Sequence, residues 1–573
     1  MSTDAIIAPP DSPLNHPWWT SAVVYQIYPR SFADGNGDGV GDLPGILEHV
    51  DHLVDLGVDV VWLSPVYRSP GDDNGYDISD YRDIDPVFGS LADIDALIAT
   101  LHERGIKLVM DLVVNHTSDE HPWFIDSRSG RNSAKRDWYI WRPSKPGTTP
   151  GEPGAEPNNW ASFFSGPAWQ HDPATGEYFL HLFSAKQPDL NWENPDVRRA
   201  VHAMMRWWLD RGVDGFRMDV INLLSKHPDL PQAKVRPGET LGDGFPFYGY
   251  GPRIHEFLRE MRQEVFGARP AAFLTVGETP GATVEQARRY TDAGRSELDM
   301  VFHFEHVSID HGPGGKFEQI PFEVSRLAEV FRRWQAGMAD RGWLSLYWNN
   351  HDQPRIVSRF GDPDRFWRES ATALATVLHM QRGTPYIYQG EEIGMTNMPF
   401  TSISEFRDIE SLRHHRDATE RRGLDEGTVL ASLRTMSRDN ARTPMQWSAA
   451  PHGGFSTTTP WIAANPNSHR INVAAQRGIR GSVLEHYKAL IRLRHELPVV
   501  AHGDFSMIDG LPDAVLAFLR RHQHVEMLVA ANLGDLEVAF SPPGWQDTQL
   551  LLSNYPNRST ELLRPWEALV LCR

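Results

Sequence analysis

Eight short runs rich in β-branched and aromatic residues recur along the chain, at 22–28, 59–64, 106–114, 213–219, 273–277, 298–302, 344–349 and 384–389. Amphipathic stretches separate most neighbours, as at 91–104, 195–211 and 366–381. Alternation of this kind predicts a parallel sheet. Eight units predict an α/β fold closed as a (β/α)8 TIM barrel rather than an open, doubly wound sheet.

The spacing is uneven, and the unevenness predicts where extra pieces sit. The barrel should span 17–116 and 189–497. The stretch 117–188, rich in Pro, Gly, Asn and Trp, reads as an inserted subdomain B over the mouth after the third strand. A charged insertion at 396–468 follows the eighth strand, within the barrel range. A last helix over 482–497 should close the barrel, and 498–573 changes to alternating strands with turn signals, read as a C-terminal all-β sandwich domain.

Charge and composition exclude several functions. Lysine plus arginine number 56 against 75 acids, a formal charge of −19, which suits neither nucleic acid nor an anionic membrane surface. No run of about 18 uncharged apolar residues predicts a membrane span. The single cysteine, Cys572, rules out an intrachain disulfide and suits a reducing, cytoplasmic setting. Residues 1–15 lack the basic start and apolar run of a secretory signal. No dinucleotide fingerprint follows the first strand, so no organic cofactor is expected. The partner expected is a small, neutral sugar, and the chain a monomer or weak homo-oligomer.

In a barrel, chemistry belongs at the C-terminal strand ends. Four ends carry polar clusters: Asp111 to His116, Arg217 to Asp219, Gly277-Glu278, and Asn349 to Asp352. Paired carboxylates are what retaining glycosidic cleavage needs, one as nucleophile and one as acid, then base. Arg217 stands two residues before Asp219, on the same strand face, and should orient it and lower its pKa. Glu278 has no cation beside it in sequence, so burial should raise its pKa, as suits a proton donor. Asp352 is a third carboxylate able to stabilise positive charge.

These segments resemble the signature regions of the α-amylase superfamily, glycoside hydrolase family thirteen. Gln187-Pro-Asp-Leu-Asn191 resembles the oligo-1,6-glucosidase and α-glucosidase branch, as do Trp18-Trp19, Val24 to Arg30, Gly75 to Tyr81 and Ser437 to Trp447. The likeness covers about residues 17 to 500 in matching order. It implies that Asp219 is the nucleophile, Glu278 the acid/base and Asp352 the transition-state stabiliser. It implies that Arg217, His116, His351 and Gln187 bind the cleaved sugar and that Tyr76 is its aromatic platform. Asp77 and Arg438 would form a pair shutting the far end of the pocket, which makes an exo-acting enzyme. Val220, after the nucleophile, goes in this branch with α-1,6 preference; maltose, sucrose and trehalose 6-phosphate stay open as substrates, as does glucose transfer. The run Ile221 to Lys226 also occurs in trehalose-6-phosphate hydrolases. A non-catalytic, transporter-partner relative would need a membrane span and tends to lose the carboxylates.

Alternating oxygen donors and glycines at Asp34, Asn36, Asp38, Val40 and Asp42 suit a hard cation. The likeness implies one structural Ca²⁺, or Mg²⁺, on those four side chains and the Val40 carbonyl. Gly45, however, stands where an EF-hand loop has its bidentate glutamate. Trp160, Phe163, Phe164 and Phe183 are candidates to line the aglycone side.

Overall fold

Eight parallel strands form one sheet in a computed structural model that describes residues 16–267, 270–546 and 548–573. The stretch 1–15, read above for a signal, lies outside them. The strands are β1 (Val24–Ile27), β2 (Val60–Leu63), β3 (Lys107–Leu112), β4 (Gly215–Met218), β5 (Leu274–Glu278), β6 (Met300–Phe302), β7 (Ser345–Leu346) and β8 (Thr384–Tyr388). Their order is β6-β5-β4-β3-β2-β1-β8-β7. A parallel bridge from Val301 to Leu344 joins β6 to β7 and closes the ring. All eight expected strands are therefore present. The seventh is shorter than the expected 344–349, because only Ser345 and Leu346 find ladder partners, on β8.

Each strand is followed by a helix: α1 (Val50–Leu56), α2 (Leu91–Glu103), α3 (Pro195–Arg211), α4 (Ile254–Met261), α5 (Val284–Thr291), α6 (Val324–Met338), α7 (Trp367–His379) and α8 (Val483–Glu496). Ser482 caps α8, accepting the Glu485 N–H at 3.3 Å.

Strand parity divides the core in two. Val24, Val60, Trp62, Val109, Leu274, Val276, Met300 and Phe302 pack together inside the barrel. Tyr25, Val61, Leu108, Met110, Phe216 and Met218 belong to the layer between barrel and helices. Successive side chains alternate faces, so Asp111, Arg217 and Glu278 share the inward parity of the barrel core. The sequence register delivers them to one end.

Between β3 and α3 lies a small sheet in the order 141–142, 177–180, 169–172. Its core, with Trp160, Trp169, Tyr178 and Leu180, includes Val220, Leu223 and Tyr248 from the loop after β4. The excursion thus packs on the barrel mouth. After β8, helices Ile409–Arg416 and Glu426–Met436 pack with Phe400, Phe406 and Ile462. Beyond α8, β9 (Asp504–Met507), β10 (Val515–His522), β11 (Val525–Asn532), β12 (Gln549–Ser553) and β13 (Ala568–Cys572) form an antiparallel sheet ordered β9-β10-β11-β13-β12. Val515, Ala517, Leu528 and Leu571 pack beneath Phe540, Trp545 and Leu563 on its outer face. Leu516, Phe518, Val529 and Val570 join the main core. Among the described residues no helix is long and apolar enough to cross a membrane.

Candidate active site

Arg217 organises the mouth. Strand β3 sets Asp111 opposite it in register, and β5 runs in step on its other side, with Gly277 opposite Met218. Its Nη1 donates to Asp111 Oδ1 at 2.8 Å and to Asp219 Oδ1 at 2.6 Å. Its Nη2 lies 2.7 Å from Glu278 Oε1. The two carboxylates thus rest on the two ends of one guanidinium, the arrangement that brings a carboxylate pair to a single sugar carbon.

Two expectations change here. Glu278, which lacks a cation beside it in sequence, has one in space, because the barrel register places Arg217 next to it. Arg217 does draw Asp219 down, but burial and the charge of Glu278 outweigh it and push the Asp219 carboxyl well above the ordinary range. Burial likewise raises Asp111 to about 6, against the opposing pull of Arg217.

Asp352 has the opposite environment. Its Oδ1 accepts from Arg442 Nη2 at 2.9 Å and Arg438 Nη1 at 3.2 Å, and its Oδ2 lies 3.3 Å from His351 Nε2. Burial alone would raise it, but His351 and the two guanidinium groups hold it well below the usual carboxylate range. With its side chain 29% exposed, against 11% for Asp219 and 7% for Glu278, it is the most open of the three. Asn349 anchors this segment: its Nδ2 donates to Glu391 Oε2 at 2.5 Å and its Oδ1 accepts the Ile356 N–H at 2.7 Å.

Both imidazoles are neutral near pH 7, since burial lowers His351 to about 3 and His116 to about 4. Gln26 Nε2 sits 2.9 Å from His351 Nδ1, which leaves the proton on Nε2, facing Asp352. The Tyr76 ring stacks on His351 at 5.1 Å and 7°, while its hydroxyl donates to Asp111 Oδ2 at 3.0 Å. Gln187 Nε2 lies 3.2 Å from His116 Nε2 and 3.2 Å from Asp73 Oδ2.

The far-end pair is not the one expected. Asp77 is buried within its own turn, accepting from Ser69 Oγ at 2.9 Å and from the amides of Asp72 and Asp73 at 2.8 and 3.1 Å. Arg438 instead meets Asp73, Nη2 to Oδ1 at 3.1 Å, and Asp408 at 2.5 Å. The motif holds Asp72, Asp73 and Asp77, and only the turn decides which one faces outward. Asp408 and Arg442 were likewise missed; they lie in the charged insertion, where sequence alone does not separate a buried charge from a solvated one. Of the aromatic candidates, Phe183 packs 5.1 Å from His116 and Arg438 lies 5.2 Å above Phe164, whereas Trp160 is core.

Val220, directly after Asp219, adopts φ 35° and ψ 43°, the left-handed region that a β-branched residue rarely enters. Its amide donates to Glu278 Oε2 at 2.9 Å.

In the loop after β1, Asp34 accepts the amides of Gly37 and Gly39 at 2.7 and 2.8 Å, and Asp42 those of Gly35 and Gly45 at 3.1 and 2.7 Å. The side-chain carboxylates of the loop do not gather into a metal-binding group, and among the described residues no group of three or more His, Cys, Asp or Glu does. The donors are all oxygen, as a hard cation requires, and each ionised carboxylate keeps lone pairs beyond these bonds.

A closed barrel with paired inward carboxylates at its C-terminal mouth is the frame of a glycoside hydrolase. Residues 26–503 match the alpha-amylase catalytic domain, and the chain belongs to that family. It is 53% identical over 561 residues to the oligo-1,6-glucosidase of Parageobacillus thermoglucosidasius, covering 96% of this chain and 98% of the relative. It is 46% identical to the trehalose-6-phosphate hydrolase of Bacillus subtilis strain 168, covering 97% and 98%. The crystal structure of an isomaltulose synthase from Klebsiella sp. LX3 superposes with a TM-score of 0.92 at 38% identity, covering 98% of this chain and 100% of that one.

Proposed function

We propose that this protein is an exo-acting retaining α-glucosidase that removes glucose from the non-reducing end of short α-glucosides, with α-1,6 linkages favoured. The observation that carries this reading is the sharing of one guanidinium by Asp219 and Glu278, beside a wall made by Asp73 and Arg438.

Asp219 attacks the anomeric carbon while Glu278 protonates the departing oxygen; Glu278 then takes a proton from the water that releases α-glucose. Arg217, bonded to Asp219 Oδ1 at 2.6 Å, favours the ionised, attacking form of the nucleophile. Asp352, kept ionised, stabilises the oxocarbenium-like charge. Arg217, His351, His116 and Gln187 hold the sugar hydroxyls, over the Tyr76 ring. The wall beyond Asp73 and Arg438 admits only a chain end. The Val220 side chain, packed with Trp160, Leu223 and Tyr248, shapes the aglycone side, where one branched side chain shifts discrimination by about 1–3 kcal/mol. A structural Ca²⁺ or Mg²⁺ in the loop at 34–42 would be held by Asp34, Asn36, Asp38, the Val40 carbonyl and Asp42, after their carboxylates turn from loop amides towards it. Cys572, free and buried, suits a cytoplasmic enzyme.

Glucose release from isomaltose, maltose, sucrose, trehalose and trehalose 6-phosphate tests the substrate. Isomaltose should lead. Faster turnover of maltose overturns the linkage preference, and turnover confined to the phosphorylated sugar makes this a phosphotrehalase. Nuclear magnetic resonance should show α-glucose first; β-glucose would refute Asp219 as nucleophile.

A further inference from the structure

We propose that the main-chain amide of Val220 is a positioning group for Glu278, and that the left-handed turn after Asp219 exists to present it. The inference rests on the reading of Glu278 as acid/base.

Successive amides of an extended chain point to opposite sides. The Asp219 N–H goes to the Leu112 carbonyl on β3, at 2.9 Å. The next N–H, that of Val220, therefore faces β5. Continuing the ladder would give that amide a backbone carbonyl. Instead the chain turns at Val220 with φ 35° and ψ 43°, and the amide meets the Glu278 side chain, at Oε2, 2.9 Å away. Arg217 Nη2 holds the other oxygen, Oε1, at 2.7 Å. One donor on each oxygen fixes the rotation of the carboxyl group about its last bond. Both donors come from the β4 segment, the one that carries the nucleophile, so acid/base and nucleophile keep a set separation.

The close packing around the turn keeps it in place. The Val220 side chain is buried among Trp160, Leu182, Leu223 and Tyr248. A Cβ at Gly277, the residue before Glu278, would lie 3.1 Å from Ile221 Cγ2 and 2.6 Å from Leu298 Cδ1. A valine in this backbone region is disfavoured on local grounds. Strain of this kind, beside two reacting groups and spent on aiming one N–H, points to a positioning role.

The test replaces Val220 by its hydroxy-acid analogue, which keeps the side chain and exchanges the N–H for an ester oxygen. Two substrates are compared. Isomaltose has a poor leaving group and needs the proton; α-glucosyl fluoride leaves without one. Loss of acid positioning should lower kcat/KM for isomaltose by about tenfold or more, within the roughly 10²–10⁴ that acid–base catalysis supplies. The kcat/KM for the fluoride should stay within about threefold. The ester variant keeps the Val220 side chain, so the aglycone surface is unchanged in this comparison. An equal fall on both substrates, or no fall, overturns the proposal. Should the ester variant fail to fold, the Val220 amide resonance in ¹⁵N-valine-labelled enzyme decides: it should shift on Glu278→Gln, and an unmoved resonance overturns the proposal. Glu278→Ala is the control for the underlying reading. It should lose kcat/KM for isomaltose selectively, while its slowed turnover of α-glucosyl fluoride should recover with azide, which attacks the glycosyl-enzyme without a base; if it does not, the assignment of Glu278 fails first.

Discussion

Arg438 touches Asp73, Asp352, Asp408 and Glu410. Removing a partner from a buried ion cluster leaves charges without compensation and costs about 3–5 kcal/mol. Arg438→Ala should therefore lower Tm as well as raise KM. Asp73→Asn and Asp77→Asn separate wall from turn: the first should raise KM for isomaltose with a smaller fall in Tm than Arg438→Ala, because Arg438 keeps Asp352, Asp408 and Glu410, and the second should lower Tm with KM little changed, because Asp77 holds its own turn by two amides and a hydroxyl. The reverse pattern would restore Asp77 to the wall. Glu391 gives a pH test. Burial raises it to about 7, from about 4.3 unfolded. A raised carboxylate pKa means the folded chain binds the proton more tightly, so its stability contribution is full below about pH 4 and is lost as pH rises to about 7. Glu391→Gln has no charge to bury. The wild-type advantage in Tm over Glu391→Gln should therefore shrink from pH 5 to pH 8, and a widening gap contradicts the burial argument.

Among the elements, β4 tolerates least. A Cβ at Gly215, where φ is 152°, would stand 2.0 Å from the Leu274 carbonyl oxygen on β5. Gly215→Ala should therefore spread β4 from β5, part Asp219 from Glu278 and abolish turnover, a change visible in activity and in soluble yield together. Helix α8 is more forgiving. Ser482→Ala removes its cap and should cost about 1 kcal/mol, read as a fall in Tm with kcat unchanged. The elements were legible for a plain reason. A strand buried on both faces, or a helix with one apolar stripe, writes its period into neighbouring residues. The seventh strand was read too long because ladder length depends on partners, and β7 pairs with β8 over only two residues.

At the scale of the molecule, the C-terminal sheet is part of the barrel's support. Leu516, Phe518, Val529 and Val570 belong to the main core, so truncation before Asp504 should yield aggregated protein. The loop after β1 gives another whole-molecule test. A bound ion stabilises by mass action, RT ln(1 + [L]/Kd), about 2.7 kcal/mol at a hundredfold excess over Kd. Millimolar Ca²⁺ or Mg²⁺ should raise Tm above that in chelator, and Asp38→Ala should erase the difference; equal Tm values argue against the metal.

Residue order was enough for the barrel and for the inward parity of Arg217, Asp219 and Glu278, because strand period and strand-end position are local properties. It could not choose Asp73 over Asp77 as the partner of Arg438, bring Asp408 to Arg438 and Arg442 to Asp352, or show that Arg217 serves Glu278 as well as Asp219. Those contacts join residues far apart in the chain or on neighbouring strands, and electrostatics falls off with distance in space. The same reason explains Asp219, whose pKa is set less by the arginine two residues away in sequence than by burial and by a glutamate 59 positions further on.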